Sequence, residues 1–86
     1  ADYTEIWAMN SQEFQLNATE DLLPQLFERY KKEKRPLLPC HPRDLLGLIR
    51  DQCHYAGDST GQATQDRLDL AWDSYFINLQ YEKVDQ

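Results

Sequence analysis

A cluster of prolines constrains this chain more than any other feature of its sequence. Three of the four prolines fall within residues 35–42. Because each proline disfavours helical geometry in the residue before it, this segment is predicted to be an extended connector. Leu37 and Leu38, which lie inside it, are predicted to plug the core. The connector therefore separates two helical halves of the chain.

The first half contains two predicted helices. Tyr3, Ile6 and Trp7 recur at helical spacing and predict a first helix. It covers residues 2–12 and is followed by an extended linker over residues 13–16, which buries one or two side chains.

A second helix is predicted from its cap and its apolar stripe. Asn17 and Glu20 match a capping box, with Thr19 as the alternative cap. The stripe continues in phase across Pro24, where a helix interior would lose about 3 kcal/mol. One helix, kinked at this proline, is predicted to end near residues 32–34. Its stripe consists of Leu22, Leu23, Leu26, Phe27 and Tyr30.

Two further helices are predicted after the connector. Pro42 suits the first position of a third helix, which extends to about Tyr55 and stops at Gly57. Gly47 within it is predicted to mark a close approach of another helix. Thr64 can cap a fourth helix. The predicted inward residues are Leu45, Leu46, Ile49, Cys53 and Ala56 in the third helix, and Leu68, Ala71, Trp72, Tyr75, Phe76 and Leu79 in the fourth.

These four amphipathic segments predict an all-α fold, a small four-helix bundle in a single domain over residues 1–86. The chain has 86 residues, of which 41% are hydrophobic, and this suffices for one thin core. Five aromatic side chains are predicted to supply most of its area: Trp7, Phe27, Trp72, Tyr75 and Phe76.

The charge distribution limits the classes of partner. A net charge of −6 disfavours general binding to nucleic acid. Seven of the nine basic residues nevertheless fall within residues 29–50. Such an island fits a phosphate-bearing ligand. The alternative is that its lysines are solvated cations, which the C-terminal end of a helix favours.

The motifs of metal sites and of common enzymes do not occur in the sequence. Cys40 and Cys53 are each followed by histidine, but their spacing differs from that of Cys2His2 zinc sites. Cys53 is instead predicted to be a small buried residue and His54 to be exposed. The sequence contains neither a Gly-rich phosphate loop nor a nucleophile elbow. We therefore expect no metal site and no enzymatic activity from this fragment by itself.

Arg43 is the strongest candidate for a functional residue. The connector delivers it to the first turn of the predicted third helix, where N–H groups and a partial positive charge attract phosphate. Its planar guanidinium offers a fork of donors to phosphate oxygens. The alternative is a surface ion pair with Asp44 or another nearby acid, which contributes little to stability.

The run from Arg35 to Leu46, R-P-L-L-P-C-H-P-R-D-L-L, resembles a stretch in the C-terminal helical lids of a bacterial subgroup of AAA+ ATPases. The resemblance covers most of the chain, including residues 3–7, 22–23, 27–30 and 71–76. It implies a lid, excised from a larger ATPase, that closes over ATP bound with Mg by a separate domain.

The same resemblance implies roles for individual residues and partners. Arg43 would match the sensor-2 arginine, which reaches the γ-phosphate, and His41, Pro42 and Asp44 would lie around the adenine-ribose end of the cleft. The implied partners are the N-terminal nucleotide-binding domain of the same chain and neighbouring subunits of a homo-oligomeric ring. A cytoplasmic location is expected, with no membrane or nucleic-acid partner. The alternative is a free-standing helical protein–protein interaction module.

Overall fold

The computed structural model describes the backbone of residues 2–84 and the side chains of residues 2–77. Its four α-helices are α1 (Tyr3–Glu13), α2 (Leu23–Lys32), α3 (Cys40–Ala56) and α4 (Gln65–Val84). A short 3-10 turn, Glu20–Leu22, precedes α2. The predicted all-α fold is confirmed. Within the described residues, no helix is long and apolar enough to cross a membrane.

Helix α3 lies at the centre of the bundle, packed against α1 and α4. The largest fully buried side chains come from these three helices and include Trp7, Leu45, Leu46, Ile49, Leu68 and Trp72. Helix α2 closes the bundle by burying Leu23, Leu26 and Tyr30. Full burial of one large apolar side chain stabilises a fold by about 1.5–3 kcal/mol, so this cluster supplies most of the driving force.

The predicted aromatic core is confirmed for its central members. Trp7, Trp72 and Phe76 are buried, whereas Phe27 and Tyr75 are half-buried at the edge of the cluster. Leu79, the last member of the predicted stripe of α4, lies outside the residues whose side chains are described.

Helix α2 begins later than the sequence predicts. It begins at Leu23, so Pro24 lies in its first turn, where a missing N–H costs no helical hydrogen bond. The prediction of one helix that continues across Pro24 with a kink is therefore wrong. The predicted Asn17 cap is also wrong, because Asn17 forms an isolated parallel bridge with Gln62 and donates to its side chain at 3.1 Å. Thr19 instead precedes the 3-10 turn.

Helix α3 begins two residues before its predicted start, so Pro42 is its third residue. Its predicted end is confirmed, because Gly57 terminates it in the left-handed conformation with φ at +72°. Two predictions about this helix are wrong. Ala56 is exposed, and a Cβ added to Gly47 would meet no packing atom within 4 Å, so no neighbouring helix approaches there.

The connector is non-helical over residues 35–38, as predicted, but it does not plug the core. Leu37 and Leu38 are 52% and 43% exposed. Aromatic side chains already fill this end of the bundle, and the Arg35 guanidinium covers the Phe76 ring at 4.2 Å from its centroid. Because that space is occupied, the two leucines remain at the surface.

Candidate functional site

The first turn of α3 is anchored in the core. His41 is only 3% exposed, and Pro42 is among the fully buried residues. The ring of His41 stacks on Tyr30 and lies nearly perpendicular to the ring of Phe76. These contacts fix the start of α3 against α2 and α4. They therefore also fix the backbone position of Arg43, the residue that follows Pro42.

A chain of buried hydrogen bonds ties this turn to α1. The hydroxyls of Tyr3 and Tyr30 lie 2.8 Å apart, and the Tyr30 hydroxyl lies 2.9 Å from Nδ1 of His41. Burial raises the pKa of Tyr3 to about 12, raises that of Tyr30 also, and lowers the pKa of His41. All three groups are therefore neutral near pH 7. Tyr3 can donate to Tyr30, which donates to the imidazole.

Arg43 and Asp44 follow directly and are exposed. They line a groove of about 530 Å³ that runs along α3 past Gly47 and Arg50. The other lining residues are Phe14, Leu48, Asp51 and Tyr75. The structure thus brings two of the four predicted nucleotide contacts to one surface and places the other two, His41 and Pro42, in the core.

The charged side chains that line this groove differ in the contacts that they already make within the fold. Asp44 accepts a hydrogen bond from the Tyr75 hydroxyl at 2.6 Å, and burial together with this bond raises the pKa of Tyr75. Arg50 lies over the Phe14 ring at 4.6 Å and contacts Asp51 at 3.5 Å. Among the described side chains, none forms an ion pair with Arg43. The predicted alternative of an Arg43–Asp44 pair is therefore not observed.

Two of the five remaining basic residues of the island, Arg29 and Arg35, are paired with acids within the fold. Arg29 forms ion pairs with Glu33, Asp69 and Asp73. Arg35 pairs with the second carboxylate oxygen of Glu33. Arg29, Glu33 and Asp69 line a second groove, of about 800 Å³, between α2 and α4. Lys31, Lys32 and Lys34 are exposed. This agrees with the alternative interpretation of the island, in which its lysines are solvated cations. Of the acids that pair with Arg29, Asp69 and Asp73 lie far away in sequence, on α4, whereas Glu33 is local.

Hydrogen bonds hold Cys53 and the loop before α4 together. Cys53 is buried and His54 is exposed, which confirms both predictions. Arg67 donates to Sγ of Cys53 at 3.3 Å, to the carbonyl of Gln62 at 2.7 Å and to Asp58 at 2.7 Å, and so closes the loop before α4. The described residues contain no group of three His, Cys, Asp or Glu side chains placed to hold a metal ion.

Six of the eight residues that line the groove are not among the site residues predicted from the sequence. Among them, Arg50 lies on α3, Tyr75 on α4 and Phe14 directly after α1. Only the packing of the helices brings these three residues together. The helical spacing of Arg43 and Arg50, seven residues apart, is the one sequence signal that places both on the same face.

Comparison with known proteins identifies a family. A family model described as a domain of unknown function, DUF8689, matches residues 1–74. No curated protein and no solved structure matches the chain.

Proposed function

The chain belongs to the DUF8689 family, and we propose that it acts as the helical lid of an AAA+ ATPase. In this proposal a separate domain of the same protein binds ATP and Mg, and the lid closes over the nucleotide. Arg43 then contacts the γ-phosphate as a sensor-2 arginine. The observation that carries the proposal is the exposed Arg43 guanidinium, which has no ion-pair partner among the described side chains.

The anchoring of α3 supports this role. Arg43 is preceded by two buried residues, so its backbone is held before any ligand arrives. A preorganised donor stabilises developing charge without reorganisation at the moment of reaction. In this proposal Arg43 and Asp44 face the nucleotide, while His41 and Pro42 hold the turn that presents them.

The lid does not hydrolyse ATP by itself in this proposal. Its sequence has no G-x-x-x-x-G-K-[ST] loop, which cradles phosphates and positions Mg in such enzymes. The proposal therefore includes a nucleotide-binding domain in the same protein, neighbouring subunits in a ring, and a cytoplasmic location where ATP is supplied.

The full-length product of the gene that encodes this chain is the protein to test. Replacement of Arg43 with Ala should lower ATP turnover about 100-fold or more, the usual loss when one donor to transition-state charge is removed. The melting temperature of the lid should stay within about two degrees, because Arg43 is exposed and surface substitutions rarely change stability much.

Lys32→Ala is the matched control. It removes an exposed cation of the same basic island, outside the groove of Arg43, and should leave turnover unchanged. The proposal fails if the full-length protein has no phosphate loop, or if both substitutions lower turnover equally. In the first case the chain is better explained as a free-standing interaction module that binds a partner through its exposed grooves.

A further inference from the structure

The connector between α2 and α3 exposes an apolar segment, Pro36-Leu37-Leu38-Pro39, which we call the strap. All four of its residues are exposed, and they follow one another without a polar side chain between them. Its backbone is also unpaired. Among the described residues, nothing bonds to the N–H groups of Leu37 and Leu38 or to the carbonyl of Pro36. The strap therefore offers both apolar side chains and free hydrogen-bonding groups to its surroundings.

The conformation of the strap is fixed from both ends. Before it, Arg35 donates its backbone N–H to the carbonyl of Tyr30 at 2.9 Å. After it, the buried residue His41 donates its backbone N–H to the carbonyl of Leu38 at 3.1 Å. Each proline of the strap fixes its own φ near −65° and disfavours helical geometry in the residue before it. The strap is therefore held extended before any partner binds.

The spacing of the two prolines matches a known mode of recognition. They lie three residues apart, which is one turn of a polyproline II helix. Extended segments with this P-x-x-P pattern dock in grooves lined by aromatic side chains. Such a segment loses little conformational freedom on binding, because its conformation is formed in advance. The strap meets this requirement within a folded domain.

The charge next to the strap is positive. Three exposed lysines lie within five residues of its start and form no ion pair with the described side chains: Lys31, Lys32 and Lys34. Glu33 is paired with arginines through both of its oxygens, and Asp73, which lines the same hollow as Glu33, is paired with Arg29. Beyond the strap, Arg43 and Asp44 carry opposite charges and do not change this sign. A complementary partner therefore carries carboxylates beside its groove.

We propose that the strap is the ligand of a partner protein domain that has an aromatic-lined groove flanked by carboxylates. In this complex the prolines and leucines pack on aromatic rings, polar groups of the groove bond to the free backbone groups, and a carboxylate pairs with Lys34. The free N–H groups favour such a groove over an anionic lipid surface, because an N–H group in hydrocarbon without an acceptor is strongly unfavourable.

The inference goes beyond the proposed lid function and does not depend on it. The strap contains none of the residues that the lid proposal assigns to the nucleotide. The test below uses no nucleotide, so its failure would remove the strap as a ligand without affecting the lid proposal. A full-length protein without ATP turnover would likewise leave the strap proposal intact.

The probes are isolated SH3, WW and EVH1 domains, whose grooves bind proline-rich segments. The 86-residue chain, labelled with ¹⁵N, is titrated with each domain and followed by NMR. A domain with carboxylates beside its groove should shift the amide signals of Leu37 and Leu38, and the titration gives Kd. Vesicles of phosphatidylcholine and phosphatidylserine are a second probe and should leave these signals unchanged.

Two matched double variants test whether the leucines of the strap make the contact. Leu37→Ser with Leu38→Ser should weaken binding at least about tenfold, or 1.4 kcal/mol. Met9→Ser with Leu70→Ser is the control and should bind as the wild type does, because these residues are 65% and 60% exposed on α1 and α4, outside the strap. All four positions are at the surface, so both variants should keep the fold, which thermal denaturation checks.

Two single variants separate conformation from charge. Pro36→Ala keeps an apolar side chain but releases φ, so binding should weaken about two- to fivefold. Lys34→Glu reverses the charge beside the strap and should weaken binding most at low salt, where contacting charges are least screened. The proposal is overturned if no domain shifts the signals of Leu37 and Leu38, if the two double variants lose affinity equally, or if the vesicles bind the strap and the domains do not.

Discussion

Replacement of Gly47 with Ala should stabilise this protein. The residue lies in the interior of α3, between Cys40 and Ala56, with an ordinary helical backbone. Glycine in such a position is about 0.8–1.0 kcal/mol less favourable than alanine, because it loses more backbone freedom on folding. The new methyl group meets no packing atom within 4 Å, so no steric cost opposes this gain.

The expected magnitude is large enough to measure. A gain of about 1 kcal/mol raises the melting temperature of a domain of this size by about 4–8 °C. Chemical denaturation should show a higher midpoint with an unchanged slope, because the surface exposed on unfolding barely changes.

The sign of this effect decides between two physical explanations. If Gly47 existed to allow a close helix approach, as the sequence alone predicts, alanine would create a clash and lower the midpoint. A fall in stability would therefore refute the reasoning from open space and would indicate that another element packs against this position.

Three further predictions concern the core and the loop before α4. Gly61→Ala should destabilise the fold by about 1–2 kcal/mol or more, because φ is +63° and the new Cβ would lie 2.9 Å from the carbonyl oxygen of Gln15; a raised denaturation midpoint would contradict this. Tyr30→Phe should cost about 1–3 kcal/mol, since it leaves two buried partners unsatisfied, and Tyr3→Phe should cost less; equal losses in denaturation would argue against the hydrogen-bonded chain. The pKa of His41 is lowered by burial, so the unfolded chain binds a proton more readily, and stability should fall as pH drops below about 6.5. Denaturation midpoints between pH 7 and 5 should show this fall, and His41→Gln should remove most of it.

The sequence predicts the helices well where an amphipathic stripe and a local terminator agree. The stripe of α4 and its Thr64 cap, whose hydroxyl accepts from the backbone of Arg67 at 3.2 Å, are local features. The stop of α3 at Gly57 is local as well, because only the left-handed preference of glycine is needed. Predictions of this kind depend on residues within one or two turns of one another.

Several predictions that depend on distant residues are wrong. Asn17 has the chemistry of a helix cap, but Gln62 competes for it from 45 positions away. Leu37 and Leu38 are apolar enough for the core, but the aromatic cluster of α2, α3 and α4 already occupies that space. No local pattern reveals such competition, because it depends on how the helices pack.

The predictions about the candidate site also divide into those that the local sequence determines and those that need the tertiary structure. By itself, the sequence determined an all-α fold, the proline connector, and the position of Arg43 near a helix start. Only the tertiary structure decided that His41 and Pro42 turn inward, that Arg43 and Asp44 turn outward, and that no other helix packs against Gly47. Side-chain direction at a helix start depends on which face meets the rest of the core, and α1, α2 and α4 together set that face.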